Sequence, residues 1–221
     1  MDLLVTGTDT DVGKTVIAAA IVLALRERRV RAIGWKPVET GVGPDDESDS
    51  DVLAKASGVD EPGARPLLRL TEPLAPAVAA ERAGTALSVA DVEQRLVELR
   101  GRGYTVVAEG AGGLLAPLAW NYTALDLAER RGLELVIVAR PGLGTLNHIR
   151  LTEQAARARG VRVRGVVLNG RPEPPTLADR TNPDALRRLL PGTHILTVPR
   201  HDTADRLLCA YASVPLVVTL L

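Results

Sequence analysis

The sequence predicts an α/β fold in which a mainly parallel, doubly wound sheet carries helices on both faces. Short apolar runs alternate along the chain with longer amphipathic runs, which is the pattern of strands alternating with helices. The first apolar run also leads through a glycine-containing turn into a helix rich in Ala, Ile and Leu, as in nucleotide-binding sheets. With 221 residues the chain can build a substantial core, so we expect residues 1–221 to form a single domain.

The apolar and amphipathic runs predict six strands and six main helices. The predicted strands are residues 3–6, 31–36, 105–109, 135–139, 163–168 and 195–198. The predicted helices are residues 14–28, 49–57, 88–100, 124–131, 146–159 and 183–190. Residues 58–76 contain several Pro and Gly and predict a long excursion, and the apolar run 214–221 predicts a terminal strand or helix packed on the body.

Residues 6–15, TGTDTDVGKT, follow the first strand and predict a phosphate loop. In such a loop, backbone N–H groups hold the phosphates, Lys14 neutralises their charge and the Thr15 hydroxyl reaches Mg²⁺. The helix that follows points its positive N-terminal end at the bound anion. One detail differs from the common GxxxxGK[ST] pattern: its first glycine position is occupied by Thr8, and Gly7 lies one residue earlier.

The choice of basic residues indicates a second functional cation. Of 27 Lys and Arg residues only three are lysines, and two of these are Lys14 and Lys36. Lysine is a compact, rotatable point charge, whereas arginine is a planar fork. Lys36 directly follows the second strand, where ligands collect in such sheets, so we interpret it as a functional cation. The third, Lys55, lies in a polar helical stretch and is interpreted as a surface residue.

Two later strand ends also carry candidate ligand-binding residues. Glu109 ends an apolar strand and is interpreted as a Mg²⁺-associated carboxylate, and the glycines after it allow close approach of backbone N–H groups. The glycine-rich segment 142–148 opens a helix and predicts a second anion site. His148 within it is interpreted as a surface or core histidine. Asp51 is a weaker candidate, because an acid in a polar loop more often caps a helix.

Composition excludes several classes of protein. The net charge is zero and the isoelectric point is about 6.9, so neither nucleic acid nor an anionic membrane is expected as a partner. A single cysteine, Cys209, excludes a disulfide framework. No apolar run approaches membrane-spanning length and no signal peptide is recognisable, so a cytoplasmic location is expected.

Four segments together resemble dethiobiotin synthetase, a family of P-loop ATPases. They are residues 7–15 (GTDTDVGKT), 36–41 (KPVETG), 109–113 (EGAGG) and 143–148 (LGTLNH), in that order and over nearly the whole chain. The resemblance implies ATP-dependent ring closure of dethiobiotin from 7,8-diaminononanoate and CO₂, with Mg²⁺ as cofactor. It also implies a homodimer with the active site at the subunit interface.

The resemblance further implies roles for individual residues. Lys14 and Lys36 would flank the carbamate and γ-phosphate, and Thr15, Asp51 and Glu109 would hold Mg²⁺. Thr10 and Thr40 would contact the substrate, whose carboxylate would bind at the partner's helix start. That helix start comprises Gly144, Thr145, Leu146 and Asn147. The nucleotide would contact the three residues that hold Mg²⁺ and a further set of residues. That set is Asp11, Val12, Gly13, Lys14, Val16, Gly110, Ala111, Gly112, Asn169, Pro199, Arg200 and His201.

Departures from the family pattern affect the nucleotide base. Gly170 follows Asn169 where some members have an acidic residue, and Pro199, Arg200 and His201 stand where relatives carry an aromatic side chain. The sequence therefore predicts weak discrimination between nucleoside triphosphates.

Two other classes share this fold. A partition-type switch ATPase would carry an additional lysine early in the phosphate loop, and residues 6–13 contain none. A cobyrinate-type amidotransferase would add a glutaminase domain with a nucleophilic cysteine, whereas Cys209 lies in an apolar run typical of core packing.

Overall fold

The structure, a computed structural model, describes residues 2–221. Its strands are β1 (Leu3–Gly7), β2 (Ala32–Trp35), β3 (Val38–Thr40), β4 (Leu68–Leu70), β5 (Thr105–Gly113), β6 (Pro117–Ala119), β7 (Tyr122–Thr123), β8 (Glu134–Ala139), β9 (Val163–Arg171) and β10 (His194–Pro199). Its α-helices are α1 (Lys14–Glu27), α2 (Asp49–Ser57), α3 (Pro76–Arg82), α4 (Val89–Gly101), α5 (Ala124–Arg131), α6 (Thr145–Ala158), α7 (Leu177–Leu189) and α8 (Arg206–Val217).

Six strands form one parallel sheet in the order β10-β9-β8-β1-β5-β2. The central strand β1 pairs with β8 on one side and β5 on the other. After β1 the chain forms β2 and β5 on one side of β1, and then β8, β9 and β10 on its other side. The strand order therefore reverses direction at β1. The residues after β1, β2 and β5 therefore meet at one edge, which is where ligands bind in open α/β sheets.

Helices cover both faces of this sheet, as the sequence predicts. Leu3 and Val5 pack with α1, α2 and α8, whereas Leu4 packs on the opposite face with α4 and α5. This alternation follows from the two-residue period of side chains along a strand. Because both faces are buried, the strands read as continuous apolar runs, and this explains why they are recognisable in the sequence.

Most predicted elements are confirmed with shifts of one residue at their ends. β5 continues four residues past its predicted end, to Gly113, so Glu109 is its middle rather than its last residue, and β9 continues to Arg171.

The last predicted helix also differs. That helix begins at Leu177 rather than at Pro183, which lies inside it. Thr176 and Asp179 form a reciprocal capping box, and this signal sets the true start of α7. The excursion contains the short strand β4, which pairs with β3 in a separate two-stranded sheet. The apolar C-terminal run belongs to α8 and a following 3₁₀ turn, and α8 packs on α1.

None of the helices in residues 2–221 combines the length and apolar character that crossing a bilayer requires.

Candidate active site

A cavity of about 820 Å³ opens at the sheet edge where β1, β2 and β5 end. Most of the predicted phosphate, catalytic and substrate residues line it. From the sequence-based set these are Thr10, Asp11, Gly13, Lys14, Thr15, Val16, Lys36, Thr40, Glu109, Ala111 and Gly112. The structure therefore brings three separate sequence motifs to one place.

Two glycines make the tight phosphate loop possible. Gly13 precedes α1 in the left-handed region with φ of 89°, and a Cβ there would lie 2.0 Å from Asn169 Nδ2. Gly7 ends β1, and a Cβ there would lie 2.6 Å from the Asp9 carbonyl oxygen. The loop folds back onto Gly7, and this explains why glycine occupies position 7 while Thr8 is tolerated.

Lys14 and Thr15 lie in the first turn of α1, whose N-terminal N–H groups face the cavity edge. Both residues are buried. Lys14 Nζ donates to the Asp9 carbonyl oxygen over 3.0 Å, so the side chain lies across the loop. Burial lowers the pKa of Lys14, against the opposing effect of Glu109. An anionic ligand would remove this penalty by pairing with the ammonium.

Glu109 connects the phosphate loop to Lys36. Its Oε1 accepts a hydrogen bond from Thr15 Oγ1 at 3.0 Å and another from Lys36 Nζ at 2.8 Å. Glu109 is fully buried, and burial raises its pKa against the opposing charge of Lys36. For Lys36 burial also disfavours the charged form, but Glu109 and Asp49 outweigh it and raise its pKa. Lys36 is therefore a fixed cation rather than a base.

The acid that joins this cluster is Asp49, and the structure does not bring Asp51 to it. Asp49 is the first residue of α2, and its Oδ2 forms an ion pair with Lys36 Nζ. Asp51 lies two residues later, where its Oδ2 accepts from the Ser48 hydroxyl and the Ser48 backbone N–H in a capping box. Its side chain lines a separate cavity behind α2. The expectation that Asp51 reaches the metal site is thus corrected to Asp49.

Oxygen atoms suitable for a hard divalent cation surround the same point. Glu109 Oε2 is buried without a hydrogen-bond partner in the structure, which is a costly state that a cation would relieve. Thr15 adds a hydroxyl and Asp49 a carboxylate. Mg²⁺ favours such oxygen ligands and usually takes only one or two carboxylates beside phosphates. Consistently, residues 2–221 hold no group of three or more His, Cys, Asp or Glu arranged as a metal site. The residues fit Mg²⁺.

Arg206 is a site residue that the sequence did not predict. Its guanidinium reaches from the start of α8 to Asp49 Oδ1, and it also contacts the carbonyl oxygens of Glu47 and Ser48. It lines the same cavity as Lys14 and Lys36. No sequence signal points to it, because it lies 157 residues from Asp49 and outside every motif.

Two groups of predicted residues lie outside this cavity. Asn169 Nδ2 donates to the Val12 carbonyl oxygen at 3.0 Å and so supports the phosphate loop from the β9 side. Pro199 and Arg200 are exposed at the end of β10, and His201 is 3.1 Å from Ser213 Oγ. Gly110, between two lining residues, packs toward Ala124.

The predicted second anion site is the start of α6. Gly144, in the left-handed region, precedes it, and residues 144–147 do not line the phosphate cavity of the same chain. Thr145 is buried, Leu146 half-buried and Asn147 exposed, as is His148. Of the two interpretations of His148, surface or core, its exposure favours the surface histidine.

Comparisons with known proteins identify relatives of this chain. A family model described as an AAA domain matches residues 1–207. The chain is 47% identical over 168 residues to ATP-dependent dethiobiotin synthetase of Anaeromyxobacter dehalogenans strain 2CP-1, covering 76% of this chain and 75% of that one. It is 42% identical over 200 residues to the enzyme of the same name from Anaeromyxobacter sp. strain K, covering 89% of each. The Bacillus licheniformis enzyme is 40% identical over 205 residues, covering 91% and 86%.

Among solved structures, the septum site-determining protein MinD of Pyrococcus horikoshii, complexed with Mg-ADP, has a TM-score of 0.61 and 16% identity. The match covers 100% of this chain and 94% of MinD. At this identity the likeness shows a shared fold alone.

Proposed function

The chain belongs to the family of ATP-dependent dethiobiotin synthetases, C–N bond-forming ligases of biotin biosynthesis, and we propose that it closes the ureido ring of dethiobiotin from 7,8-diaminononanoate, CO₂ and ATP. The observation that supports this most is the cluster formed by buried Thr15, Lys36 and Glu109 with half-buried Asp49, beside Lys14. It combines cations for phosphate with oxygen ligands for Mg²⁺ in one cavity.

The reaction proceeds in three balanced steps. One substrate amine attacks the carbon of CO₂ and loses a proton, which gives a carbamate. A carbamate oxygen then attacks the γ-phosphorus of ATP and expels ADP, forming a carbamic–phosphoric mixed anhydride. The second amine attacks the carbonyl carbon, the C–O bond to phosphate breaks, and the nitrogen releases its proton as the ring closes. Dethiobiotin, ADP and phosphate are the products.

Lys14 and Lys36 stabilise the charge that moves during phosphoryl transfer. Such transfer depends on positioning and on neutralisation of charge rather than on covalent help from the protein. Lys36 is held at a fixed point by Glu109 and Asp49, and these carboxylates keep it protonated. It therefore faces the carbamate and γ-phosphate as a constant positive charge. Burial lowers the pKa of Lys14, and the bound triphosphate supplies negative charge that stabilises its protonated form.

Thr15, Asp49 and Glu109 are the residues that hold Mg²⁺ in this proposal. When bound, the ion neutralises the β- and γ-phosphate oxygens and so favours transfer. Glu109 Oε2 is free to accept it, while Oε1 stays bonded to Thr15 and Lys36. Asp49 carries the role that the sequence suggested for Asp51.

The other predicted residues bind the phosphates, the diamine and the nucleotide base around the cluster of Thr15, Lys36, Asp49 and Glu109. Backbone N–H groups of residues 11–16 hold the phosphates, with Ala111 and Gly112 on the other wall and Gly110 directly behind them. Thr10 and Thr40 line the cavity and contact the diamine. Asn169, Pro199, Arg200 and His201 lie on the side assigned to the base.

The substrate carboxylate binds at the start of α6 of a partner subunit. Gly144, Thr145, Leu146 and Asn147 offer N–H groups and the positive end of a 14-residue helix. This segment does not line the phosphate cavity of its own chain. In this proposal it serves the site of a neighbouring subunit, as the family resemblance implies, so the active unit is a homodimer.

A single-turnover assay with labelled bicarbonate, 7,8-diaminononanoate and MgATP tests the proposal. We expect label in a cyclic urea, identified by mass spectrometry, with one ADP and one phosphate released for each ring. We also expect almost no phosphate release when the diamine is omitted. Phosphate release that is indifferent to the diamine, without a cyclic urea, would instead indicate a switch ATPase of this fold.

A further inference from the structure

Glu39 is a fully buried carboxylate that the proposed chemistry does not use. It is the middle residue of β3, three positions after Lys36. Both of its oxygens are bonded: Oε1 accepts from the Ser50 backbone N–H at 2.6 Å, and Oε2 accepts from the Ser50 hydroxyl at 2.9 Å. A carboxylate in such a place is retained only when its charge is compensated.

Arg69 supplies that compensation from the neighbouring strand. Glu39 and Arg69 are register partners in the β3–β4 pair, and Arg69 Nε lies 3.2 Å from Glu39 Oε2. Arg69 Nη2 continues to the hydroxyls of Ser48 at 2.8 Å and Ser50 at 3.1 Å. The two-stranded sheet thus carries at its centre an acid–arginine pair that contacts the start of α2. We refer to Glu39 and Arg69 as the β3–β4 clamp.

The clamp holds the helix turn that carries Asp49. Ser48 is the N-cap of α2, Asp49 its first residue and Ser50 its second. The first N–H groups of a helix lack partners within the helix, and a carboxylate there is favoured by the helix dipole. The clamp therefore grips the residues on both sides of Asp49 and leaves its carboxylate free to meet Lys36.

Residues 36–39 contact the start of α2 at two points. Lys36 holds the Asp49 carboxylate, and Glu39 holds the backbone of the next residue. Arg206 also binds Asp49 Oδ1, so two cations compete with a metal ion for this side chain. If the helix start were loose, Asp49 would follow these cations rather than stay at the metal position.

We propose that Glu39 and Arg69 are positioning residues that fix the start of α2 so that Asp49 meets Mg²⁺. This role rests on the proposed function through the assignment of Asp49 as a metal ligand. It predicts that loosening the clamp weakens Mg²⁺ binding without removing any group that touches the nucleotide.

The test uses Glu39→Gln, which keeps the size of the side chain but removes its charge and turns an NH₂ group toward Arg69 or Ser50. Glu129→Gln is the matched control, because Glu129 also pairs with an arginine, Arg159, but on the surface. We expect the Mg²⁺ concentration for half-maximal turnover to rise about tenfold in Glu39→Gln, the effect of losing one charge-assisted hydrogen bond. Turnover at saturating Mg²⁺ should return to near the original value. Glu129→Gln should match the original protein.

A second readout does not depend on turnover. The rise in melting temperature caused by ADP is measured with EDTA and then over a range of Mg²⁺ concentrations. In Glu39→Gln the rise in EDTA should be preserved, and the additional Mg²⁺-dependent rise should need about tenfold more Mg²⁺. This measurement remains informative even if no cyclic urea is formed, so failure of the synthetase proposal and failure of the clamp are separable.

Glu39→Gln combined with Arg69→Gln covers the case in which the single variant does not fold, because it does not leave the Arg69 guanidinium without its carboxylate partner. Its Mg²⁺ requirement should be raised no more than that of Glu39→Gln alone, since the two residues act as one unit. An unchanged Mg²⁺ requirement in the clamp variants would overturn the proposal. A loss of turnover that saturating Mg²⁺ does not restore would also overturn it, since that result indicates a residue that only supports the fold.

Discussion

The phosphate side and the base side of this site are built differently. On the phosphate side, Thr15 and Asp49 come from α1 and α2, Lys36 directly follows β2 and Glu109 lies within β5, and each holds another. On the base side, Pro199 and Arg200 are exposed, and the Asn169 amide donates its hydrogen bond to the phosphate loop. Side chains that hydrogen-bond to one another and are wholly or partly buried fix one geometry, whereas exposed side chains do not. We therefore expect the phosphate side to determine activity and the base side to contribute little selectivity.

The largest effect is expected at Lys36. Lys36→Arg keeps the charge but replaces a point ammonium, enclosed by Glu109 and Asp49, with a wider planar group. Turnover should fall roughly 10²–10³-fold, the scale of losing one preorganised donor to a developing charge. Lys55→Arg is the control, because Lys55 pairs only with exposed Glu47 and should tolerate the change. Near-normal steady-state turnover in Lys36→Arg would show that the phosphate side does not depend on this cation.

The next effect separates the two aspartates at the start of α2. Asp49→Asn should raise the Mg²⁺ requirement by about 10–100-fold, the range found when the setting of a metal ligand is disturbed. Asp51→Asn should leave that requirement unchanged and cost only about 1 kcal/mol of stability through the weakened capping box. Mg²⁺ titrations of turnover and urea unfolding measure both. The reverse assignment would follow if Asp51→Asn alone changed the metal dependence.

A smaller effect is expected at the start of α6. Asn147→Asp places a negative charge where the substrate carboxylate is proposed to bind, so the KM for the diamine should rise about tenfold. ATP binding should be almost unaffected. Mixing Asn147→Asp chains with Lys14→Ala chains should restore activity, because one site of each heterodimer is then intact. Absence of rescue in verified heterodimers, or full activity of a monomer, would contradict the shared site.

The smallest effect is expected at the base. Rates with ATP, GTP and CTP at saturating diamine should agree within about threefold, since phosphate contacts dominate affinity and Pro199 and Arg200 on the base side are exposed. Arg200→Ala should change little. A strong preference for ATP would show that Asn169 or backbone groups suffice to select the base, and it would remove the contrast between the two sides.

Sequence patterns predicted the sheet and most of the phosphate side because these depend on short-range rules. Buried strands read as apolar runs, and the loop requires glycine at positions where a Cβ would collide with its surroundings. Asp49 could not be separated from Asp51 in this way, because both are acids at the start of one helix. Which of them faces Lys36 depends on where the helix begins, and Ser48 sets that point through its bond to Asp51.

Residues that act across long sequence distances were not predictable. Arg206 meets Asp49 only because α8 packs on α1, and neither residue carries a local signal for that contact. Glu39 and Arg69 are brought together by two three-residue strands within a region rich in Pro and Gly. Such short strands give no readable period, so their pairing appears only in three dimensions.

A crystal structure of the protein with Mg²⁺ and a non-hydrolysable ATP analogue tests the central claim most directly. We predict one ion beside the β- and γ-phosphates with Thr15 Oγ1, Asp49 and Glu109 as its protein partners, contacted directly at about 2.1 Å or through bound water. Arg206 should then have released Asp49 Oδ1, and Asp51 should still cap α2. An ion held by Asp51, or a triphosphate bound with the Asp49–Arg206 pair intact and no ion beside Glu109, would contradict the account.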